Sequence, residues 1–216
     1  MFLKFPVIHL PLLMEQKILQ NAAEMFLNYG FKSVTMDDIA NSMGISKKTI
    51  YQYFENKTKL VEATTMFVFE NISHGIDCIC GDEKNPIEEI FEIKKFMMEH
   101  LKDEKSSPQF QLQKYYPKIF SNLKRKQFEV MQQCKTRNLE RGIRLGLYRE
   151  NIDVSIVSRI YFNSMVSLKD KELFPLQNHS MNALVNAYLE YHLRGICTEK
   201  GITILTEFLK ENTSNQ

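Results

Sequence analysis

Apolar residues recur at helical spacing through most of the chain, and polar breaks divide them into a group of short runs followed by longer ones. From about Met14 to Tyr29, Ile18, Leu19, Ala22, Ala23, Phe26 and Leu27 fall in pairs four apart, the stripe of an amphipathic helix, and Gly30 ends it. Thr35, Ser46 and Asn56 each precede a new run and offer a side-chain oxygen to free backbone N–H groups. Ile39, Ala40 and Met43 form the inner face of the second run, and Ile50 with Phe54 that of the third. Between them, at Met43-Gly44-Ile45, Gly44 can take the positive φ that would reverse the chain. Ile45 and Ile50 are spaced as a hydrophobic staple. The stretch from Thr35 to Leu60 therefore predicts a helix-turn-helix in which three short helices share one small core.

Beyond Leu60 no Pro/Gly/Ser-rich linker intervenes, so a continuous helix is expected to carry the chain into a second region. Val61, Met66, Phe67, Phe69 and Ile72 are apolar on more than one side, as burial in a larger bundle requires. Gly81 to Asn85 breaks this helix, and Pro86, with Glu88 and Glu89 in the first turn, restarts one. Lys102 to Pro108 is a polar break, and Pro117 opens a long helix to about Tyr148. Two more helices, roughly Asp153 to Leu168 and Ser180 to Arg194, flank a segment containing Pro175, and Thr198 to Lys210 adds a last short one. The fold expected is all-α: a three-helix head at residues 14–60 joined by a long helix to a helical bundle at 61–211. Residues 212–216 read as a polar tail and 1–13 as an N-terminal extension. That extension is apolar but too short for a span, is broken by Pro6 and Pro11, and lacks a small-residue cleavage site. Met14 is then a candidate start.

Charge changes the picture at two helix starts. A helix N-terminus favours anions, and Asp37 and Asp38 follow that rule after Thr35. Lys47 and Lys48 after Ser46, and Lys57 and Lys59 after Asn56, break it. Phosphate oxygens met by free N–H groups and lysines together would remove the conflict. On a wheel of about 100° per residue, setting Ile50 and Phe54 inward points Lys48 and Gln52 most directly out, with Thr49 and Tyr51 on the flanks. Such a face suits a major groove. The formal net charge of +2 says little by itself. Its distribution says more, because Asp82 to Glu104 holds eight acids and four lysines while Lys114 to Arg149 holds ten basic residues and two acids. The second block reads as a solvated helix partly neutralised by its acidic neighbour, or else as added nucleic-acid affinity.

The head resembles the tetracycline-repressor (TetR) family. The resemblance rests on Gly30-Phe31, on Val34-Thr35-Met36-Asp37-Asp38-Ile39-Ala40, on Gly44-Ile45-Ser46, on Thr49-Ile50-Tyr51-Gln52-Tyr53-Phe54, and on Asn56-Lys57 with Leu60. It covers about the first third of the chain. It implies that the helix after Ser46 is the recognition helix, that Thr35, Tyr51, Tyr53 and Lys57 meet the DNA backbone, and that Lys47, Lys48, Thr49 and Gln52 meet bases. It also implies that the bundle binds a small-molecule effector and forms a homodimer, so that two heads read a two-fold symmetric operator at about 34 Å spacing. Flexible Met and flat aromatic rings make an adaptable, largely apolar lining. Phe67, Met97, Met98, Tyr115, Phe120, Phe128, Met131, Phe162 and Met165 are the pocket candidates. Ile156, Ile160, Ser164, Leu184, Tyr188 and Tyr191 are those for the dimer interface. The function implied is a cytoplasmic, sequence-specific transcriptional regulator, a repressor released by its ligand, with no cofactor, no metal and no membrane partner.

Other classes have less to stand on. His9, His74, His100, His179 and His192 are scattered, and the chain has no H-E-x-x-H, no G-x-S-x-G and no phosphate-cradling glycine loop, so an enzyme is not expected. A helical protein-interaction adaptor, or a ligand-binding protein without DNA binding, leaves the cations at two helix starts unexplained. Cys78, Cys80, Cys134 and Cys197 show no C-x-x-C spacing and read as reduced thiols. Gly142 and Gly146, near a helix end, read as a terminator.

Overall fold

A computed structural model describes residues 10–81, 84–100, 108–170, 172–175 and 177–213. They form α1 (Leu10–Tyr29), α2 (Met36–Met43), α3 (Lys47–Tyr51), α4 (Lys57–Gly81), α5 (Pro86–His100), α6 (Pro108–Tyr115), α7 (Pro117–Arg144), α8 (Val154–Ser167), α9 (Met181–Ile196) and α10 (Glu199–Thr213). Among these residues the only β pairing is an isolated antiparallel bridge between Tyr148 and Cys197. The all-α expectation holds. Residues 1–9 of the extension, Lys102 to Ser107 of the polar break and residues 214–216 of the tail lie outside the described residues.

Several boundaries differ from the sequence reading. The first helix starts at Leu10 rather than near Met14, because Pro11 falls in its first turn, where a missing N–H breaks no intrahelical bond. The helix α6 lies between the polar break at Lys102 to Pro108 and the helix opened by Pro117, where the sequence reading places no helix. The helix α7 stops at Arg144, short of Tyr148, and α10 runs past residue 211.

The chain divides into two compact units, Met1–Asn71 with Glu104–Arg125, and Ile72–Asp103 with Lys126–Gln216. The first is thus larger than the 14–60 head. Its core joins Ile18, Ala22 and Phe26 of α1 to Ile39 and Ala40 of α2, Ile50 of α3 and Leu60 of α4, with Leu112 and Ile119 from α6 and α7. Ile18, Ile39, Ile50 and Leu60 are all fully buried, each contributing roughly 1.5–3 kcal/mol by removal from water. Phe26 stacks on Phe31 at 5.0 Å, and Phe31 meets Tyr116 edge-on at 6.3 Å.

The second unit is built around Ile87, Ile90 and Phe91 of α5, Leu139 of α7, Tyr161 of α8, Val185, Leu189 and Leu193 of α9, and Leu205 of α10. The chain leaving α7 pairs with the end of α9: the Arg149 N–H donates to Ile196 O, and the Thr198 N–H to Leu147 O, both at 2.9 Å. The two glycines near the end of α7 have different jobs, which corrects the reading of both as a terminator. Gly146, at φ 67°, takes the left-handed turn. Gly142 makes room: a Cβ there would stand 2.0 Å from the buried Tyr148 ring.

The basic block of α7 is not simply solvated. Lys135 and Asn138 are buried, and Arg141 pairs with buried Glu89, whose other oxygen accepts from Asn138 Nδ2 at 2.7 Å. The basic residues are scattered around α7, so part of the block read as solvated instead turns into the core.

Candidate nucleic-acid interface

The head fixes its helices by capping. Thr35 closes a capping box at the start of α2: the Asp38 N–H donates to Thr35 Oγ1 at 3.2 Å, and the Thr35 N–H donates to Asp38 Oδ2 at 2.8 Å. That N–H donor, with the Thr35 hydroxyl, holds the Asp38 carboxyl below its ordinary pKa. Gly44 ends α2 at φ 64°, where its N–H donates to Asn41 O at 3.2 Å and the Ile45 N–H to Ala40 O at 3.0 Å. Ser46 then caps α3 by accepting from the Thr49 N–H at 3.0 Å, and its hydroxyl lies 2.8 Å from Thr49 Oγ1. Asn56 caps α4, accepting from the Lys59 N–H at 3.0 Å. All three oxygens anticipated from the sequence are therefore in place.

The helix α3 is short, but helical bonding continues beyond it, with the Phe54 N–H donating to Ile50 O at 3.0 Å. Ile50 and Phe54 are buried, whereas Lys48 and Gln52 are exposed and Tyr51 is 44% exposed. Thr49 is half-buried at the edge. The outward face is the one the wheel predicts.

The lysines divide. Lys47 reaches back to Asp37 at 2.7 Å, and that carboxylate raises its pKa. Lys59 pairs with Glu62 at 3.0 Å. Lys57 is partly buried, donates to Lys32 O at 3.4 Å, and is pushed down by burial against the opposing pull of Asp38. Lys48 makes no ion pair or hydrogen bond among the described residues. Not all four lysines lack an anion, as the sequence alone suggests: α2 supplies one for Lys47, and the second turn of α4 one for Lys59. Sequence reasoning missed Asp37 as a partner because it lies ten residues upstream. Tyr53 rests partly on the head core, so it has a packing role beside any contact with DNA.

The other candidates are spread out. Phe67, Tyr115 and Phe120 belong to the first unit, and Met97, Met98, Phe128, Met131, Phe162 and Met165 to the second. Phe128 and Phe162 meet edge to face at 5.1 Å, and Met131 and Met165 pack on the second core. Tyr115 is 41% exposed and flanked by Lys32 and Lys114, which is not how a residue lining an apolar pocket sits. Two open grooves of about 340 and 280 Å³ lie on the head, lined by Met25, Tyr29, Ser33, Val34, Asp38 and Asn41 and by Lys17, Gln20, Asn21, Glu24 and Met43. None of the nine pocket candidates lines either groove. On α8 and α9, Ile156 and Ile160 are each 56% exposed and Tyr191 is 78% exposed, while Ser164, Leu184 and Tyr188 are half-buried. No helix among the described residues is long and apolar enough to cross a membrane.

Residues 18–64 match the family of bacterial regulatory proteins, tetR family. The match spans the head just described, within residues 18–64. The chain is similar to the negative transcriptional regulator IcaR of the biofilm operon icaADBC in Staphylococcus aureus, at 33% identity over 63 residues, 29% of this chain and 34% of that protein. It thus spans about a third of the length of such relatives. Similarity to the transcriptional repressor KstR2 of Mycolicibacterium smegmatis is 27% over 148 residues, 66% of this chain and 71% of that protein. Among solved structures, a TetR-family regulator from Agrobacterium tumefaciens superimposes with a TM-score of 0.68 at 20% identity, covering 87% of this chain and all of that one. SmeT, the repressor of the Stenotrophomonas maltophilia multidrug efflux pump SmeDEF, does so at 0.65 and 17%, covering 86% and 91%. At these identities the structures speak for the fold.

Proposed function

We propose that this chain is a sequence-specific DNA-binding transcriptional regulator, cytoplasmic, not an enzyme, acting as a homodimeric repressor that a small, largely apolar ligand releases from its operator. The observation that carries the reading is the outward face of α3. Lys48 stands there exposed without an anion, beside Gln52 and Tyr51, on a helix held at one end by the Ser46 cap and from behind by buried Ile50. Lys48 and Gln52 read base edges, with Lys47 and Thr49 beside them. Thr35, Ser46, Tyr51, Tyr53 and Lys57 position the head on phosphates.

A second copy supplies the second reading helix, through the exposed apolar positions of α8 and α9, with Ile156, Ile160 and Tyr191 at the centre. The relatives named as repressors support the sign of regulation. Release follows when the ligand has different affinities for the DNA-competent and DNA-incompetent conformations. Phe128, Phe162, Met131 and Met165 of the second unit are the lining this reading favours. Selecting bound duplexes from a random pool with the purified chain tests it. Enrichment of a two-fold symmetric sequence is expected, and a pool that stays random at low salt contradicts it.

A further inference from the structure

Cys80, in the last turn of α4, and Cys134, midway along α7, are 54 residues apart in sequence, yet their sulfurs lie 2.9 Å apart. A disulfide bond is about 2.05 Å long, so closing this pair moves the sulfurs by less than about 1 Å. Cys80 lies one residue from the end of its helix, where backbone bonds open most readily. Cys80 is half-exposed and Cys134 is buried behind it, which gives a small oxidant access to one sulfur while the other waits beneath. The S–H···S contact lets the pair share one proton. The Cys80 thiol holds the Cys134 thiol below its ordinary pKa against burial and the Glu89 carboxylate, with Lys135 and Arg137 helping. Transfer of the shared proton between the touching sulfurs puts the thiolate on the half-exposed Cys80, where an oxidant reaches it.

The competing chemistry for two sulfurs beside a carboxylate is a soft divalent metal, since a Glu89 oxygen lies within 4.8 Å of both sulfurs. The surroundings disfavour it. One Glu89 oxygen accepts from Asn138 at 2.7 Å, the other from the Arg141 guanidinium, and a metal cation would have to displace that arginine.

We propose that Cys80 and Cys134 are a dithiol that hydroperoxides oxidise to an intrachain disulfide linking α4 to α7. A thiolate of the pair attacks the terminal peroxide oxygen, the O–O bond breaks, and a sulfenic acid forms. The departing alkoxide, or hydroxide from hydrogen peroxide, takes the proton of the second thiol. The second thiolate then attacks the sulfenic sulfur, the S–S bond forms, the S–O bond breaks, and the leaving hydroxide takes up the proton that the first thiol gave to solvent, forming water. Two thiols lose two electrons and two protons, and the peroxide is reduced to alcohol and water. Cys78 is two residues away on another side of α4, beside His74, and Cys197 is buried elsewhere; neither joins the pair.

The test uses the full reduced chain, freed of reductant and treated with stoichiometric hydrogen peroxide. Titratable thiols should fall from four to two, with the intact mass dropping by two hydrogens. Non-reducing peptide mapping should join the Cys80 and Cys134 peptides, and dithiothreitol should restore four thiols. Replacing Cys78 and Cys197 together by Ser should leave the bridge intact. Cys80→Ser should abolish it, and if Cys134→Ser fails to fold, the wild-type map alone decides. A bridge through Cys78 or Cys197, a lone sulfinic acid, unchanged thiol content, or stoichiometric zinc retained by the reduced pair would overturn the proposal. None of these readouts involves DNA, so they stand or fall separately from the proposed regulatory function.

Discussion

Replacing buried Lys135 by Met should stabilise the protein, more at pH 7 than at pH 9. Among the described residues the ammonium has no hydrogen-bond partner, and it sits in the core with its nitrogen 3.9 Å from the centre of the Tyr161 ring. Burial pushes its pKa from the ordinary 10.5 down to about 7, a shift that nearby Cys134, Glu89 and Cys197 only partly oppose. Because the unfolded chain keeps the proton up to its higher pKa, it binds more protons than the folded chain between these values, so stability rises with pH across that window. The penalty is on the order of 4 kcal/mol at pH 7 and falls by roughly 2 kcal/mol by pH 9. A cation–π contact recovers about 0.5–2 kcal/mol, less than the penalty, and a Met side chain keeps much of the packing through its own contact with the ring. Urea unfolding at pH 7 and pH 9 measures both effects. Lys135→Met should raise the midpoint at pH 7, and its stability should change less between the two pH values than that of the wild type. A variant less stable at both pH values, with the wild-type pH dependence intact, would refute the reasoning.

Two further outcomes follow from the second unit. His192 is buried, and burial, with the Lys135 charge beside it, lowers its pKa to about 3. The unfolded chain therefore takes up a proton as pH falls below about 6.5 while the folded one does not, and stability should drop through that window. His192→Phe should move the acid unfolding midpoint, followed by circular dichroism, to lower pH, whereas an unchanged midpoint would contradict the assignment. Ile160→Glu should convert a two-chain species into a single chain in sedimentation equilibrium, because it places a carboxylate on the exposed apolar face of α8. A wild type that sediments as one chain would remove the interface altogether.

The head was legible in the sequence because its information is local. Capping oxygens at Thr35, Ser46 and Asn56, a reversing Gly44, and apolar residues three and four apart each act within one or two turns, and each reappears in the structure in the expected role. What the sequence hid were contacts between helices. Asp37 reaches Lys47 from the preceding helix, Glu89 meets Asn138 and Arg141 across about fifty residues, and Gly142 yields space to Tyr148 beyond the turn. A wheel assigns a charge to solvent by default, and only tertiary packing reveals that Lys135 points the other way. The Met- and Phe-rich positions were harder still. Core and pocket lining have the same composition, so Tyr115 could be ranked with Phe128 although it lies exposed between two lysines.

The most direct test of the account is duplex binding by the outward face of α3. A gel-shift titration on a duplex selected from the random pool should show tight, salt-sensitive binding by the wild type. Lys48→Ala should weaken that binding by about 1–3 kcal/mol if it reads a base, or flatten the plot of log K against log salt by about 0.9 if it neutralises a phosphate. Gln52→Ala should relax sequence preference while leaving the salt slope unchanged. Wild-type affinity and salt slope in the Lys48→Ala, Gln52→Ala double variant, in a chain that keeps its helical circular dichroism, would contradict the claim that this face reads DNA.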